Sequence, residues 1–330
     1  MSVKMEFSFS YSILACGIIA SSNALSVECY DTIYTPTLLL EELNRSLSDS
    51  NPYALTVVGP TGSLRMLGAG KLTCMSLSSE GEAGILIEGV SASVINGKIE
   101  SCPNGVSVEG VGSHTILNSK ITDFIDNGVV VSSSYNLITG SEIVGIGLTT
   151  GLAGVFINLE ANYNTISNNY ISASGNDGVT VDGKFTTITL NSIIDNDDDG
   201  INLRGESGGA TVSGNFVTLN SNEGVQMTSN SNLISGNIVV ENGLIGVLIG
   251  GSSTGNMVNN NRVNENLDDG IVILTGSIGN TIEDNTAMDN GEDDLRDSNE
   301  NMLCTNMLNA WSNNDVGAGG TSNPPCLKDL

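Results

Sequence analysis

The stretch Thr165-Ile166-Ser167-Asn168-Asn169-Tyr170-Ile171, followed shortly by Gly178-Val179-Thr180-Val181, decides the fold of this chain. Both parts recur along the sequence. Nine glycines are spaced by 21 to 26 residues, and a short apolar alternation follows each of them. A period of this size with strand-type alternation is typical of a solenoid, in which every repeat stacks on its neighbours. These glycines are Gly84, Gly105, Gly128, Gly154, Gly178, Gly200, Gly224, Gly246 and Gly270.

An asparagine runs in phase with the glycines and lies 13 to 15 residues after each of six successive ones. Asparagine tolerates left-handed backbone angles and hydrogen-bonds to nearby backbone, so we expect each one at a sharp bend between two short strands. Stacked at one strand spacing, such side chains can form a ladder along the solenoid. These residues are Asn169, Asn191, Asn215, Asn237, Asn261 and Asn285.

Composition supports the same architecture. The chain has 40 glycines and only 4% aromatic residues, as a narrow core with frequent turns requires. No segment between the glycines keeps a 3.6-residue apolar period, which excludes a helical solenoid. The sequence therefore predicts an all-β solenoid of about ten coils with three short strands in each. Because repeat proteins grow by adding coils, we expect one long domain.

The two ends differ from the middle. Residues 1–24 carry Lys4, an apolar stretch over 13–20 and small residues up to Ala24, which predicts a secretory signal peptide. Residues 25–80 are predicted to form an N-terminal cap and first coil, 81–291 the repeats, and 292–330 a C-terminal cap. In the first cap, Thr35-Pro36 indicates either the start of a short helix or a cap strand. No other run is long enough to span a membrane.

The cysteines of the predicted mature chain lie outside the regular repeats. Secretion and a location near the caps favour disulfides. We expect Cys304 to pair with Cys326, and Cys29 to pair with Cys74, with Cys102 as the alternative partner of Cys29. Because no Cys-x-x-Cys spacing occurs, a zinc site is not expected.

The coil starts of the type Asp/Asn-Gly-Val/Ile-x-Val/Ile and the Thr-Ile-x-x-Asn turns resemble those of right-handed parallel β-helix repeat proteins, the pectin-lyase-like group. The C-terminal cap is similar to that of the secreted members of this group. The resemblance implies a right-handed parallel β-helix over about residues 29–326. It does not imply one activity, because the group includes lyases, hydrolases, epimerases and adhesins. The cap residues that carry it are Asp294-Leu295-Arg296-Asp297, Cys304, Trp311, Asn314 and Pro325-Cys326.

The catalytic motifs that this resemblance would bring are largely missing. Hydrolases of the group carry Asn-Thr-Asp, Asp-Asp, Gly-His-Gly and Arg-Ile-Lys motifs, and here only the pairs Asp198-Asp199 and Asp268-Asp269 occur. The Arg-x-Pro-x-x-Arg motif of pectate lyases is absent as well. The single histidine, His114, stands in Ser-His-Thr, and we expect it to be an exposed turn residue rather than a general base.

The charge of the chain restricts its partners. The net charge is −26, with only 11 lysines and arginines. Such a surface repels nucleic acid and anionic membranes, and it repels polyuronates unless cations bridge the two. We therefore expect neither a nucleic-acid partner nor membrane insertion.

An acidic column is the one candidate site that the register predicts. Stacked coils should place Asp177, Asp199 and Glu223 one strand spacing apart, with Asp182 and Arg204 close by. Repulsion within the column must be relieved by solvent, by a raised pKa, by a cation or by Ca²⁺. The preferred interpretation is a set of solvated turn acids. The alternatives are a calcium site formed by Asp177, Asp199 and Glu223, or a catalytic groove with Asp177 and Asp199 in which Arg204 or Lys184 is the base.

Taken together, these features predict a secreted, extracellular protein, or a periplasmic one if the source is bacterial. Its predicted function is that of a non-enzymatic scaffold that binds an extracellular polysaccharide or surface, with no cofactor unless Ca²⁺ binds the acidic column. The alternative is a polysaccharide lyase, hydrolase or epimerase that acts on a cell-wall or matrix glycan.

Overall fold

The computed structural model describes residues 30–48, 51–74, 82–146, 152–205, 207–300, 303–305 and 307–330. These residues form thirty-six short β-strands and one 3-10 helix, Pro325–Asp329, arranged as a parallel solenoid of about 11 turns. The predicted all-β fold of about ten coils is confirmed. The predicted signal peptide, 1–24, lies outside the described residues, and the predicted domain boundaries stay a prediction.

The strands form three parallel sheets, named A, B and C here, and the chain visits them in that order in each coil. Sheet A contains β1 (Thr32–Ile33), β4 (Tyr53–Val58), β7 (Ala83–Glu88), β10 (Asn104–Val108), β13 (Val129–Val131), β16 (Val155–Ile157), β19 (Val179–Val181), β22 (Ile201–Leu203), β25 (Val225–Met227), β28 (Val247–Ile249), β31 (Ile271–Ile273), β34 (Leu295–Asp297) and β36 (Ser322–Asn323).

Sheet B contains β2 (Pro36–Leu39), β5 (Ser63–Met66), β8 (Ser93–Ile95), β11 (Thr115–Leu117), β14 (Leu137–Thr139), β17 (Thr165–Ser167), β20 (Thr187–Thr189), β23 (Thr211–Ser213), β26 (Leu233–Ser235), β29 (Met257–Asn259), β32 (Thr281–Glu283) and β35 (Ala310–Ser312). Sheet C contains β3 (Glu42–Arg45), β6 (Lys71–Cys74), β9 (Lys98–Glu100), β12 (Lys120–Phe124), β15 (Glu142–Gly145), β18 (Tyr170–Ser172), β21 (Ser192–Ile194), β24 (Phe216–Thr218), β27 (Ile238–Val240), β30 (Arg262–Asn264) and β33 (Thr286–Met288).

The strand that follows each repeat glycine lies in sheet A and buries its first and third residues. Val179 pairs with Ile201, which pairs with Val225, so equivalent residues stack directly through the core. The glycine is required by close packing: a Cβ at Gly200 would lie 2.4 Å from Val217 Cγ1 and 2.6 Å from the Gly224 oxygen. The predicted register is confirmed, because all six predicted inward residues are fully buried: Val179, Val181, Ile201, Leu203, Val225 and Met227.

The predicted asparagine ladder exists at the turn between sheets B and C. Asn237 shows its bonding. Its Oδ1 accepts from the Asn215 N–H at 2.9 Å, and its Nδ2 donates to Asn261 Oδ1 at 2.9 Å and to the Val212 oxygen at 3.0 Å. The left-handed residue is the one before the ladder asparagine, such as Asn168 with φ 55°. The ladder asparagine therefore stabilises the bend from the buried side, and the left-handed residue before it produces the change of chain direction.

Two further ladders stack at the other corners of the coil, and sequence reasoning missed both. One lies between sheets C and A, and the other lies between sheets A and B. Their signal was present, since each set recurs at 22 to 29 residues. The members are Asn196, Asn220, Asn242, Asn266 and Asn290 in the first, and Asn232, Asn256, Asn280 and Asn309 in the second.

The ends of the solenoid confirm one disulfide and correct another. Cys304 is bonded to Cys326 as predicted. Cys74 is bonded to Cys102, so the predicted Cys29–Cys74 pair is wrong. The reason is register: Cys74 ends β6, Cys102 follows the neighbouring strand β9, and their Cα atoms are 4.7 Å apart. Cys29 lies outside the described residues.

The N-terminal cap also settles the choice left open for Thr35-Pro36. Pro36 opens strand β2, so the cap-strand alternative is confirmed and the helix alternative is wrong. Among the described residues, no helix has the length and apolar character to cross a membrane.

Candidate functional site

A groove lies on the outer face of sheet A, where the outward side chains of successive strands face solvent. Its larger part has a volume of about 500 Å³, and a smaller part of about 80 Å³ continues it. We call the two parts together the sheet A groove. Asn127, Leu152 and Phe156 line both parts. The larger part is also lined by Tyr53, Asn104, Ser107, Glu109, Asp126, Val130 and Ser132, and the smaller by Ala153, Asn176, Thr180 and Arg204.

One end of the groove holds a tyrosine–carboxylate pair. Tyr53 opens β4, and Glu109 directly follows β10 two strands away. The Glu109 carboxylate accepts from the Ser107 hydroxyl at 3.0 Å and lies close enough to the Tyr53 hydroxyl to act on its pKa. Burial raises the pKa of Tyr53, and the nearby carboxylate of Glu109 raises it further. Tyr53 therefore stays a protonated donor facing a carboxylate acceptor.

His114 lies behind this end of the groove, and the expectation that it is exposed is wrong. It is 1% exposed. Its Nδ1 accepts from the Ala92 N–H at 3.0 Å, so the proton is on Nε2, which donates to the backbone oxygen of Glu109 at 2.9 Å. Burial lowers the pKa of His114, which keeps the ring neutral. Because both nitrogens are used inside the protein, His114 is not available as a general base.

The middle of the groove offers an aromatic ring beside two buried amides. Asn127 donates from Nδ2 to Asn104 Oδ1 at 3.0 Å, and its Oδ1 accepts from the Ala153 N–H at 3.0 Å, so these amides are used inside the protein. Phe156 is the outward residue of β16, and the Arg204 guanidinium lies 5.7 Å from its ring centroid. An aromatic face suits the apolar faces of sugar rings.

The acidic column stacks as predicted, but the expectation of solvated turn acids is wrong. Asp177 and Asp199 are each 1% exposed, and Glu223 is 9% exposed. Asp177 accepts from the Thr180 hydroxyl at 2.6 Å and from the Asp199 N–H at 3.2 Å. Asp199 in turn accepts from the Glu223 N–H at 3.1 Å. The column is buried because each coil covers the turn of the one before it.

A raised pKa relieves the repulsion inside the column. Burial raises the pKa of Asp177 to about 6, and the charge of Asp198 adds to the effect. Burial also raises the pKa of Asp199 far above its usual range, assisted by a side-chain hydrogen bond to Glu223 and by the charge of Asp177. Asp199 thus keeps its proton, which removes one charge from the column.

The geometry does not bring the predicted calcium ligands together as a set. Carboxylate oxygens of Asp177, Asp198 and Asp199 lie within 4.8 Å of one another, whereas Glu223 is not part of that group. A second such group is formed by Asp268, Asp269 and Glu292. Ca²⁺ prefers six to eight oxygen ligands. The oxygens of Asp177 and Asp199 are already engaged by N–H and hydroxyl donors, so calcium at this column stays a prediction.

The predicted catalytic residues divide into two groups. Asp177 and Asp199 are buried, and Thr180, which donates to Asp177, is the residue that lines the groove. Arg204 lines the groove itself, but Asp182 holds its guanidinium through bonds of 3.0 and 2.9 Å. The groove residues Tyr53 and Glu109 were missed by sequence reasoning.

The chain belongs to the family of right handed beta helix regions, whose model matches residues 83–237 and 153–316. The predicted right-handed parallel β-helix is thereby confirmed. No curated protein matches the sequence significantly. Among solved structures, the Dettilon tailspike protein is similar with a TM-score of 0.67 and 16% identity, over 88% of this chain and 61% of the tailspike. The chain thus spans less than two thirds of that protein.

Two enzymes are also similar in structure. The mannuronan C-5 epimerase AlgE6 A-module of Azotobacter vinelandii has a TM-score of 0.62 and 14% identity, over 89% of both chains. The DFA-IIIase of Arthrobacter chlorophenolicus A6 has a TM-score of 0.60 and 13% identity, over 87% of this chain and 88% of the enzyme. At such identities the likeness shows the fold. Because enzymes are prominent among these neighbours, the expectation of a non-enzymatic scaffold is contradicted.

Proposed function

We propose that this protein is a secreted, glycan-acting enzyme that binds a linear, neutral polysaccharide along the sheet A groove and hydrolyses it. The observation that carries the proposal is that one groove brings together the Tyr53 and Glu109 pair, the carboxylate of Asp126 and the ring of Phe156. The similar structures include a tailspike and carbohydrate epimerases, which agrees with a glycan as the partner. Two disulfides favour an oxidising compartment outside the cytoplasm.

The shape of the groove suits a chain rather than a single sugar. It extends from Tyr53 on β4 to Arg204 just after β22, which spans seven neighbouring strands of sheet A. At about 4.8 Å between strands, the groove is roughly 29 Å long. A polymer that follows the solenoid axis would contact successive coils through equivalent outward residues.

Two carboxylates line this groove from opposite ends of the strands. Glu109 follows β10, and Asp126 precedes β13. Hydrolysis of a glycosidic bond needs one carboxyl group to protonate the leaving oxygen and another to take a proton from water. The two hydroxyls next to Glu109 are donors, so Glu109 fits the role of base. We assign Asp126 as the acid and Tyr53 as the residue that orients Glu109.

Charge favours a neutral substrate over a polyuronate. Removal of a proton next to a uronate carboxylate requires a cation that neutralises this carboxylate. Among the described residues that line the groove, Arg204 is the one cation, and Asp182 already pairs with it. The net charge of −26 acts in the same direction.

The test is turnover on a panel of soluble neutral and acidic polysaccharides, with and without Ca²⁺. We expect new reducing ends from a neutral glycan. Glu109→Gln and Asp126→Asn should each lower the rate by about 10²- to 10⁴-fold with unchanged melting temperature. The control is Glu142→Gln, a half-buried glutamate on sheet C that pairs with Lys120 and lies outside the groove lining. An unsaturated uronate product would instead establish a lyase, and equal rates in all variants would exclude these two residues.

A further inference from the structure

The side chain of His114 occupies a ladder position that asparagine fills in other coils. His114 N–H donates to Asn136 Oδ1, and Asn136 N–H donates to Asn164 Oδ1, each at 2.9 Å. One coil earlier, His114 Nδ1 accepts from the Ala92 N–H in the same way. The Oδ1 of an asparagine could make this bond equally well. The ladder therefore accounts for the hydrogen bond of Nδ1, but it does not account for the hydrogen bond of Nε2.

The Nε2 bond reaches the turn that follows β10. After Glu109 the chain turns through Gly110 and Gly112, with φ values of 78° and 103°. The Glu109 N–H donates to the Ile87 oxygen at 2.8 Å, which ties the start of the turn to the neighbouring coil. The bond from His114 Nε2 to the Glu109 oxygen is a second tie of the same residue, from the buried side. An asparagine at position 114 is too short to make that second bond.

We propose that His114 is a positioning residue, which fixes Glu109 against Tyr53 and so sets the geometry of the groove. The role of His114 in catalysis rests on the proposed function, because it requires Glu109 to be the base. The positioning of Glu109 by His114 does not depend on that function. It gives a role to the chain's single histidine, at a ladder position that asparagine fills in several coils and that Thr186 and Ala210 fill in two others. The two ring nitrogens of His114 thus have different roles. The bond between Nδ1 and the Ala92 N–H stabilises the fold, and the bond from Nε2 to the Glu109 oxygen positions the site.

Two substitutions separate these bonds. His114→Asn keeps an acceptor where Nδ1 lies and removes the donor to Glu109. His114→Gln places its amide N–H near Nε2 and removes the acceptor for Ala92. If the proposal is correct, His114→Asn loosens Glu109 and His114→Gln does not. A residue that served only the ladder would give the opposite order, with His114→Gln the more damaging change.

The readout is the titration of Tyr53, which needs no substrate. It is obtained from the ultraviolet absorbance of tyrosinate, with Tyr53→Phe subtracted to isolate Tyr53. Burial and Glu88 also raise the pKa of Tyr53, so only part of the effect depends on Glu109. We expect the Tyr53 midpoint to fall by about half a pH unit in His114→Asn and to stay unchanged in His114→Gln.

Hydrogen exchange at Glu109 to Gly112 provides a second measurement, and it should accelerate in His114→Asn alone. A Tyr53 midpoint and an exchange rate that stay at the wild-type values in His114→Asn would overturn the proposal. Turnover then separates this inference from the proposed function. A shifted titration in a protein that cleaves no polysaccharide would leave the positioning role intact and remove the hydrolase.

Discussion

The coils from β17 to β33 and the coils from β4 to β16 share one repeat, but they use it differently. In the later coils the ladder positions between sheets B and C carry asparagine every time, and strands of three residues follow one another without change. In the earlier coils Ser119 and Ser141 take the ladder positions between sheets B and C, His114 takes one between sheets A and B, and β4 and β7 have six residues. The larger part of the groove lies on the earlier coils.

This difference between the two regions shows which coils have polar side chains available for a ligand. A regular coil uses its polar side chains to satisfy buried backbone groups, so few of them remain for a ligand. The earlier coils use smaller or different side chains in the ladder and longer strands in sheet A. Groups such as Tyr53 and Glu109 then face solvent instead of a neighbouring coil.

The largest expected effect concerns the glycine column, which both regions share. In Gly224→Ala the new Cβ would lie 2.2 Å from Val239 Cγ1 and 2.7 Å from the Gly246 oxygen, whereas in Gly84→Ala the nearest atom is Cys102 Sγ at 2.8 Å. We expect Gly224→Ala to lower the free energy of unfolding by about 3 kcal/mol, and Gly84→Ala by roughly 1 kcal/mol. Urea unfolding measures both. Gly319→Ala is the control, because no atom lies within 4 Å of its Cβ and its φ is not left-handed. Equal losses at Gly224 and Gly84 would show that the longer distance at Gly84 gives no relief.

The second effect is a gain of stability from the acidic column. The folded-state pKa of Asp177 is about 6, above its ordinary value of 3.8, so the folded state holds the proton more tightly. The free energy of unfolding therefore falls as the pH rises from the ordinary pKa of 3.8 to the folded-state pKa of about 6, and the loss is complete above about 6. We expect Asp177→Asn to raise the free energy of unfolding by about 2 kcal/mol at about pH 8 and by almost nothing at about pH 3. The exposed Asp195→Asn should show no such pattern. A gain that is the same at both pH values would show that charge is not the cause.

The third effect compares ladder members between the regions. Asn237→Leu removes the acceptor for Asn215 and the donors to Asn261 and Val212, and it should cost about 1–3 kcal/mol. Ser141→Ala removes one acceptor, that of the Ser119 N–H, and should cost about 1 kcal/mol. Thermal unfolding of the two variants tests the ladder. Unchanged melting temperatures in both would show that water replaces these bonds at no cost.

The smallest expected effect is that of calcium. Because Asp199 keeps its proton and so already lowers the repulsion in the column, Ca²⁺ gains little by binding there. We expect millimolar Ca²⁺ to change the melting temperature no more than monovalent salt of equal ionic strength does. A calcium-specific rise that disappears in the triple variant Asp177→Asn, Asp199→Asn, Glu223→Gln would establish the predicted metal site instead.

The sequence predicts the fold well because a glycine marks nine successive coils and an asparagine marks six of them. Val179 and Ile201 point inward as their spacing after glycine requires, and Asn237 takes its place in the ladder. The same periodicity places Asp177 next to Asp199. Their burial was not predicted, because Asp before Gly is typical of an exposed turn in a single coil. Only stacking, in which one coil covers the turn of another, buries them.

The candidate site was harder to predict for the same physical reason. Tyr53 and Glu109 are 56 residues apart in sequence and meet only because β4, β7 and β10 are neighbours in sheet A. Neither belongs to a short motif. His114 could have been assigned correctly, since His114-Thr115-Ile116 aligns with Asn164-Thr165-Ile166 in the repeat. Its place in a ladder follows from that alignment, and its bond to Glu109 does not.

The asparagine ladders also give the solenoid an electrical polarity. In each of them the Nδ2 donors point toward the C-terminal coils, so the side-chain amide dipoles add in one direction, as peptide dipoles do in a helix. The positive end of such a row favours an anion. Two ladders end there on buried carboxylates: Asn290 donates to Asp294 at 3.0 Å, and Asn309 donates to Asp297 at 2.9 Å. The C-terminal cap thus neutralises the ends of the ladders electrostatically, besides covering the core with Trp311.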